Sequence, residues 1–138
     1  MTAGVWSLGL SRATALAINE AAELAASDAG RGVSVGKVAE RIGAEPAEAR
    51  EVLARLEQAG LVEADEREGE AYRLCRGARE LPLFEIARAV DEPFEVCRLE
   101  GNGAVDDKSL ASVLGRVNEE VIDLFKERRL SELLAEQA

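Results

Sequence analysis

The chain has 138 residues, 47% of them hydrophobic and 32% charged but only 4% aromatic, with 3 prolines. This leaves room for one domain and an appended element, built mainly from helices packed by Ala and Leu. The 17 basic and 27 acidic residues give a net charge of -10, which opposes non-specific attraction to a polyanion. With no histidine at all, Ser-His-Asp and Cys-His catalysis are excluded, and no Gly-rich phosphate loop or metal-ligand cluster stands in their place, so an enzyme is not expected. Cys75 and Cys97 form no CxxC pair and suggest neither a disulfide scaffold nor a zinc site. The first residues show no basic stretch followed by an apolar run and a cleavage site, and no apolar run approaches the ~20 residues of a membrane span, so a cytoplasmic chain without leader or membrane contact is expected.

In chain order, Leu10, Thr14, Ala17, Ile18, Ala21 and Leu24 recur at three- and four-residue steps and predict a helix from Leu10 to Ala26. The stretch Ser27–Gly32 stops it. Ser34 is placed as the N-cap of a short helix, VGKVAERIG, which ends at Gly43. Pro46 then opens a third helix reaching Ala59, with Ala49, Val52, Leu53 and Leu56 as its inner stripe. Leu61-Val62 and Tyr72–Leu74 flank the charged tract ADEREGEA and read as a two-stranded hairpin with a solvated tip. A short helix from Pro82 to Val90 follows, and the stretch to Asp107, with Pro93, Gly101 and Gly103, reads as a loop. From Lys108 to Arg129 a long helix carries Leu110, Val113, Leu114, Val117, Val121, Leu124 and Phe125 on one face. Burial of that stripe against the same helix of a second chain is the expected reason for it. Ser131 would cap a last short turn. The boundaries are thus a helix–hairpin domain over 1–92, a loop over 93–107, and a dimerisation helix with its tail over 108–138.

Helix, helix, tight turn, helix and hairpin is the plan of a winged helix-turn-helix domain, mainly α with a small β-hairpin. At VGKVAERIG, EVLARLEQAGLV (Glu51–Val62), YRL (Tyr72–Leu74) and IARAVDEP (Ile86–Pro93), the chain resembles bacterial regulators of the IscR, NsrR and CymR type. The resemblance implies a homodimeric, repressor-like regulator of transcription that binds a palindromic double-stranded DNA operator. In several members it also implies an iron–sulfur cluster on three cysteines in the loop before the long helix. Ser34, Glu45, Ala47, Glu48, Arg50, Arg67, Gly69 and Arg73 occupy the positions expected to face DNA.

Several of these residues depart from the family pattern. Where the family places hydroxyl, polar, Tyr and Gln side chains at the start of the recognition helix, this chain has Glu45, Ala47, Glu48 and Glu51. A carboxylate can accept from cytosine but is repelled by phosphate. The Gly-rich tip of the wing is reduced to Gly69 among Glu66, Glu68 and Glu70, leaving Arg50, Arg55, Arg67, Arg73, Arg76 and Arg79 as phosphate candidates. Cys97 falls near the first cluster-ligand position, yet no second or third cysteine follows it before the long helix. No cofactor and no metal are therefore expected, the alternative being an iron–sulfur cluster completed by other ligands such as Glu or Asp. Cys97 and Trp6 remain candidates for sensing, against plainer roles as a loop thiol and a packing residue. The alternative function is an acidic dimer that has lost DNA binding and engages a protein or small ligand.

Overall fold

The computed structural model describes residues 5–27, 31–100 and 108–136. Strand β1 (Val5–Leu8) leads into α1 (Arg12–Ala26), and β2 (Val33–Ser34) runs directly into α2 (Val35–Ile42). Next come α3 (Pro46–Gln58), β3 (Val62–Ala64), β4 (Ala71–Leu74) and α4 (Leu83–Val90). Strand β5 (Cys97–Glu100), the long α5 (Lys108–Glu127) and α6 (Leu130–Glu136) complete the order. Among the described residues no helix is long and apolar enough to cross a membrane.

Local signals account for most boundaries. Helix α1 begins at Arg12 rather than Leu10, because the Ser11 hydroxyl accepts the Thr14 N–H at 3.1 Å and caps it. Ser34 caps α2 as expected, accepting the Lys37 N–H at 3.2 Å, and Gly43 ends that helix in the left-handed conformation. The wing is a three-stranded antiparallel sheet of order β2-β4-β3, with Val33 opposite Tyr72 and Val62 opposite Leu74. Its third strand is the two residues that precede α2, too short to show a period in the sequence.

The ADEREGEA tract is not wholly solvated. Asp65 is buried, accepting the Gly32 N–H at 3.1 Å and the Arg67 N–H at 3.2 Å. Gly32 passes so close that an added Cβ would lie 2.6 Å from the Asp65 Cβ, so the chain has room only for glycine there.

Two further elements correct the sequence reading. The segment read as a loop contains β5, which pairs antiparallel with β1, Leu8 standing opposite Cys97 and Val5 opposite Glu100. Pairing across about 90 residues leaves no local trace. Helix α6 begins at Leu130, so Ser131 lies inside its first turn and does not cap it. Instead the Glu132 carboxylate reaches back to the Arg129 N–H at 3.3 Å, half of a capping box.

The main core gathers Leu16, Val35, Val38, Leu53, Leu56 and Ile86 from the first four helices, and Leu130 of α6 sits fully buried among them. A second cluster of Ala87, Phe94, Val96 and Cys97 lies beneath α5, where Phe94 stacks on Phe125 with centroids 5.0 Å apart. This cluster divides the stripe of α5. Leu114, Val117, Val121 and Phe125 turn towards their own chain, whereas Leu110, Val113 and Leu124 remain 40%, 57% and 45% exposed.

Candidate nucleic-acid interface

Helix α2, the turn at Gly43 and helix α3 set the N-terminal face of α3 beside the wing. Glu45 is the N-cap of α3 but makes no side-chain capping bond, and Pro46 occupies the first turn, where its missing N–H costs nothing. Glu45, Ala47 and Glu51 are exposed.

The charged groups on this face are largely matched within the chain. Glu48 accepts two bonds from the Arg12 guanidinium of α1, at 2.6 and 2.8 Å, which hold its carboxyl below the ordinary glutamate range. Arg50 forks onto Glu70 at the wing, its second bond measuring 3.2 Å, and Glu70 is likewise held low. This pair joins recognition helix to wing. Arg73 reaches Glu63 at 2.7 Å and Asp65 at 3.5 Å. Arg67 folds back onto Asp65 at 3.1 Å, depressing the carboxyl's pKa against the opposing effect of its burial. Arg55 lies 3.7 Å from Glu51, and Arg76 lies 2.6 Å from Glu85. Gly69 closes the wing tip at φ 78°, a backbone that side-chain-bearing residues rarely adopt.

The eight residues proposed to face DNA thus fall on two adjoining elements, the α2–α3 unit and the wing. Ser34 connects them, capping α2 with its hydroxyl while its backbone pairs with Ala71. What the sequence did not disclose is that carboxylates of the same chain engage Arg50, Arg67 and Arg73. Sequence reasoning also passed over Arg31, Lys37 and Arg41, which line one groove with Ser27 and Ser34. The four-residue spacing of Lys37 and Arg41 on the outer face of α2 was the available signal.

Cys97 is buried, 2% exposed, against Phe94 and Val96. Its backbone is fixed by Asn118 of α5, whose amide oxygen accepts the N–H groups of Val96 and Cys97, both at 2.8 Å, while its NH₂ donates to the Cys97 carbonyl at 3.1 Å. Asn118 was legible only as a polar residue interrupting an apolar stripe. A three-thiolate iron–sulfur site does not fit a chain of two cysteines, one buried here and the other, Cys75, exposed beyond β4. Among the described residues no group of three or more Cys, Asp or Glu side chains is arranged to hold a metal. Trp6 lies in β1, and its side chain falls outside the described residues.

The family model described as "Rrf2: Iron-dependent Transcriptional regulator" matches residues 10–136. No curated protein matches the chain in sequence. Among solved structures, T. potens IscR superposes with a TM-score of 0.74 at 23% identity, covering 95% of this chain and 89% of its own. The oxidized form of Staphylococcus aureus CymR gives a TM-score of 0.76 at 16% identity, covering 91% and 95% respectively. CymR of B. subtilis, described as its global cysteine regulator, gives 0.74 at 18% identity over 93% and 97%. These likenesses establish the winged-helix fold, and the match over nearly the whole length establishes the lineage: the chain belongs to the Rrf2 family of transcriptional regulators, DNA-binding proteins rather than enzymes.

Proposed function

We propose that this chain is a homodimeric, cytoplasmic DNA-binding regulator that works without a three-cysteine iron–sulfur cluster. The exposed N-terminal face of α3, tied to the wing through Arg50 and Glu70, carries the reading. It presents a helix end of the size a major groove admits, with the wing beside it to meet the backbone. Full-length protein should select duplexes from a random pool at low salt, as measured by fluorescence polarisation. No retained duplex, even at the lowest salt, would sink the reading.

The ion pairs make a sharper expectation. Glu70→Gln removes the partner of Arg50 and frees a guanidinium for phosphate, so the mutant should bind the selected duplex more tightly and show a salt slope steeper by about 1. An unchanged slope would mean that Arg50 does not meet DNA.

Exposed Leu110, Val113 and Leu124 support pairing of two copies through α5, with half-buried Val117 and Val121 at the edge of the contact. Val113→Glu combined with Leu124→Glu should halve the mass seen by sedimentation while leaving the helical signal intact, since both side chains face outwards. A doubled mutant that keeps the wild-type mass would refute pairing through this face.

A second reading is favoured by the same carboxylates. With Glu48, Glu63 and Glu70 holding the nearby arginines, the acidic remainder of the face would suit a basic protein partner better than a polyanion. Failure to select any duplex, together with one specific partner recovered on the wild type and lost on Glu45→Lys, would decide for it.

A further inference from the structure

Asp65 follows β3 at the base of the wing tip, and its carboxylate is almost wholly buried. One oxygen accepts the Arg67 N–H at 3.2 Å and the Arg67 Nε–H at 3.1 Å, while the other accepts the Gly32 N–H at 3.1 Å and lies 3.5 Å from the Arg73 guanidinium. The Asp65 N–H donates to the Ala71 carbonyl at 2.9 Å. One residue thus ties together the turn, β4 and the approach to β2.

Two small neighbours make room for this. A Cβ on Gly32 would stand 2.6 Å from the Asp65 Cβ and 3.2 Å from the Ala71 Cβ, so the chain passes over both only without a side chain. Packing alone would not select a carboxylate here, because a buried charge is costly unless donors surround it. Attachment would. Strand β2 meets β4 through only two residue pairs, Val33 with Tyr72 and Ser34 with Ala71, followed by the Val35 N–H on the Glu70 carbonyl. So short a ladder holds weakly by itself, and the bond from Gly32 to Asp65 adds an anchor beyond its end.

We infer that Asp65 is the positioning residue of the wing: it touches no DNA, but fixes the tip where the tip and the N-terminal face of α3 meet one duplex. The inference rests on the regulator reading above. Arg67, on the tip, is gripped through Nε while its side chain stays 75% exposed, so the same carboxylate that sets the turn also sets the direction of its guanidinium. The sign of a substitution separates placement from charge. Removing a carboxylate beside a polyanion would by electrostatics alone tighten binding. Loss of placement weakens it.

The test titrates the full chain with the duplex it selects, and with the same duplex cut back at both ends to the base pairs that α3 covers. Wild type should lose about tenfold on the shorter duplex, for want of the wing's contact. Asp65→Asn should lose about tenfold on the long duplex and nothing more on the short one, as two changes that remove one contact must. Gly32→Ala, which keeps the carboxylate but denies it room, should give the same pattern, with the amides of α3 exchanging at wild-type rates in both variants. Unchanged or tighter binding by Asp65→Asn, an equal loss on both duplexes, or quickened exchange throughout α3 in both variants would each overturn the inference and leave the regulator reading standing. So would a wild type indifferent to the cut. A wild type that retains no duplex overturns both.

Discussion

Glu20→Gln should raise the stability of the folded chain by about 3 kcal/mol at pH 7, because it removes a carboxyl that must either stay protonated or be buried as a charge. Glu20 lies on the inner side of α1, wholly buried, and neither of its carboxylate oxygens has a hydrogen-bond partner. Burial, reinforced by the negative charge of Glu48, pushes its pKa from 4.5 to about 8. A carboxyl with a raised folded pKa holds a proton that the unfolded chain has already released. The penalty is absent below pH 4.5, grows by about 1.4 kcal/mol per pH unit as pH rises, and levels off above 8. Wild-type stability should therefore fall between pH 5 and 8. With no histidine in the chain, no imidazole masks that slope. Urea melts at pH 5, 7 and 8.5 should show the gap between wild type and Glu20→Gln opening across the series. Curves that stay parallel would show that Glu20 is hydrated or paired in solution.

Asn118→Ala should cost about 2–4 kcal/mol, since it leaves two N–H groups and a carbonyl of the Val96–Cys97 backbone without their partner in a partly buried site. Asn118→Asp keeps an acceptor for both N–H groups but loses the donor to the Cys97 carbonyl, and should fall between wild type and Ala. Thermal melts give the ranking. Hydrogen exchange at the Cys97 amide gives the mechanism, as it should quicken in Asn118→Ala well before the amides of α3 do. Equal exchange at Cys97 in the two proteins would mean that β1 alone holds β5 in place.

Periodicity and caps made the winged domain readable. The steps of α1, the Ser34 cap, the Gly43 stop and the first-turn Pro46 are each local, so the α2–α3 unit follows from neighbouring residues. The candidate site was readable as positions but not as a charge pattern. Nothing near Arg50 in the sequence marks Glu70 as its partner, because a turn and two strands bring them together. Asp65 reads as one more acid in a polar tract, and only the approach of Gly32 buries it. The stripe of α5 shows how much apolar surface must be covered, but not how it divides between Phe94 of the same chain and the exposed side.

The return of the chain at α6 has a mechanical consequence. The Leu130 N–H donates to the Leu81 carbonyl at 2.9 Å and the Leu83 N–H to the Arg128 carbonyl at 3.0 Å, so the far end of α5 is stitched to the segment that starts α4. Asn118 fastens its middle to β5. Helix α5 is therefore a strut braced at two points, not a free arm, and it cannot tilt without carrying the winged domain with it. For two copies paired along α5, the crossing angle of the two struts would set the distance between the two α3 helices. A signal that turned the struts by a few degrees would be felt as a change in the spacing of half-sites the pair can span.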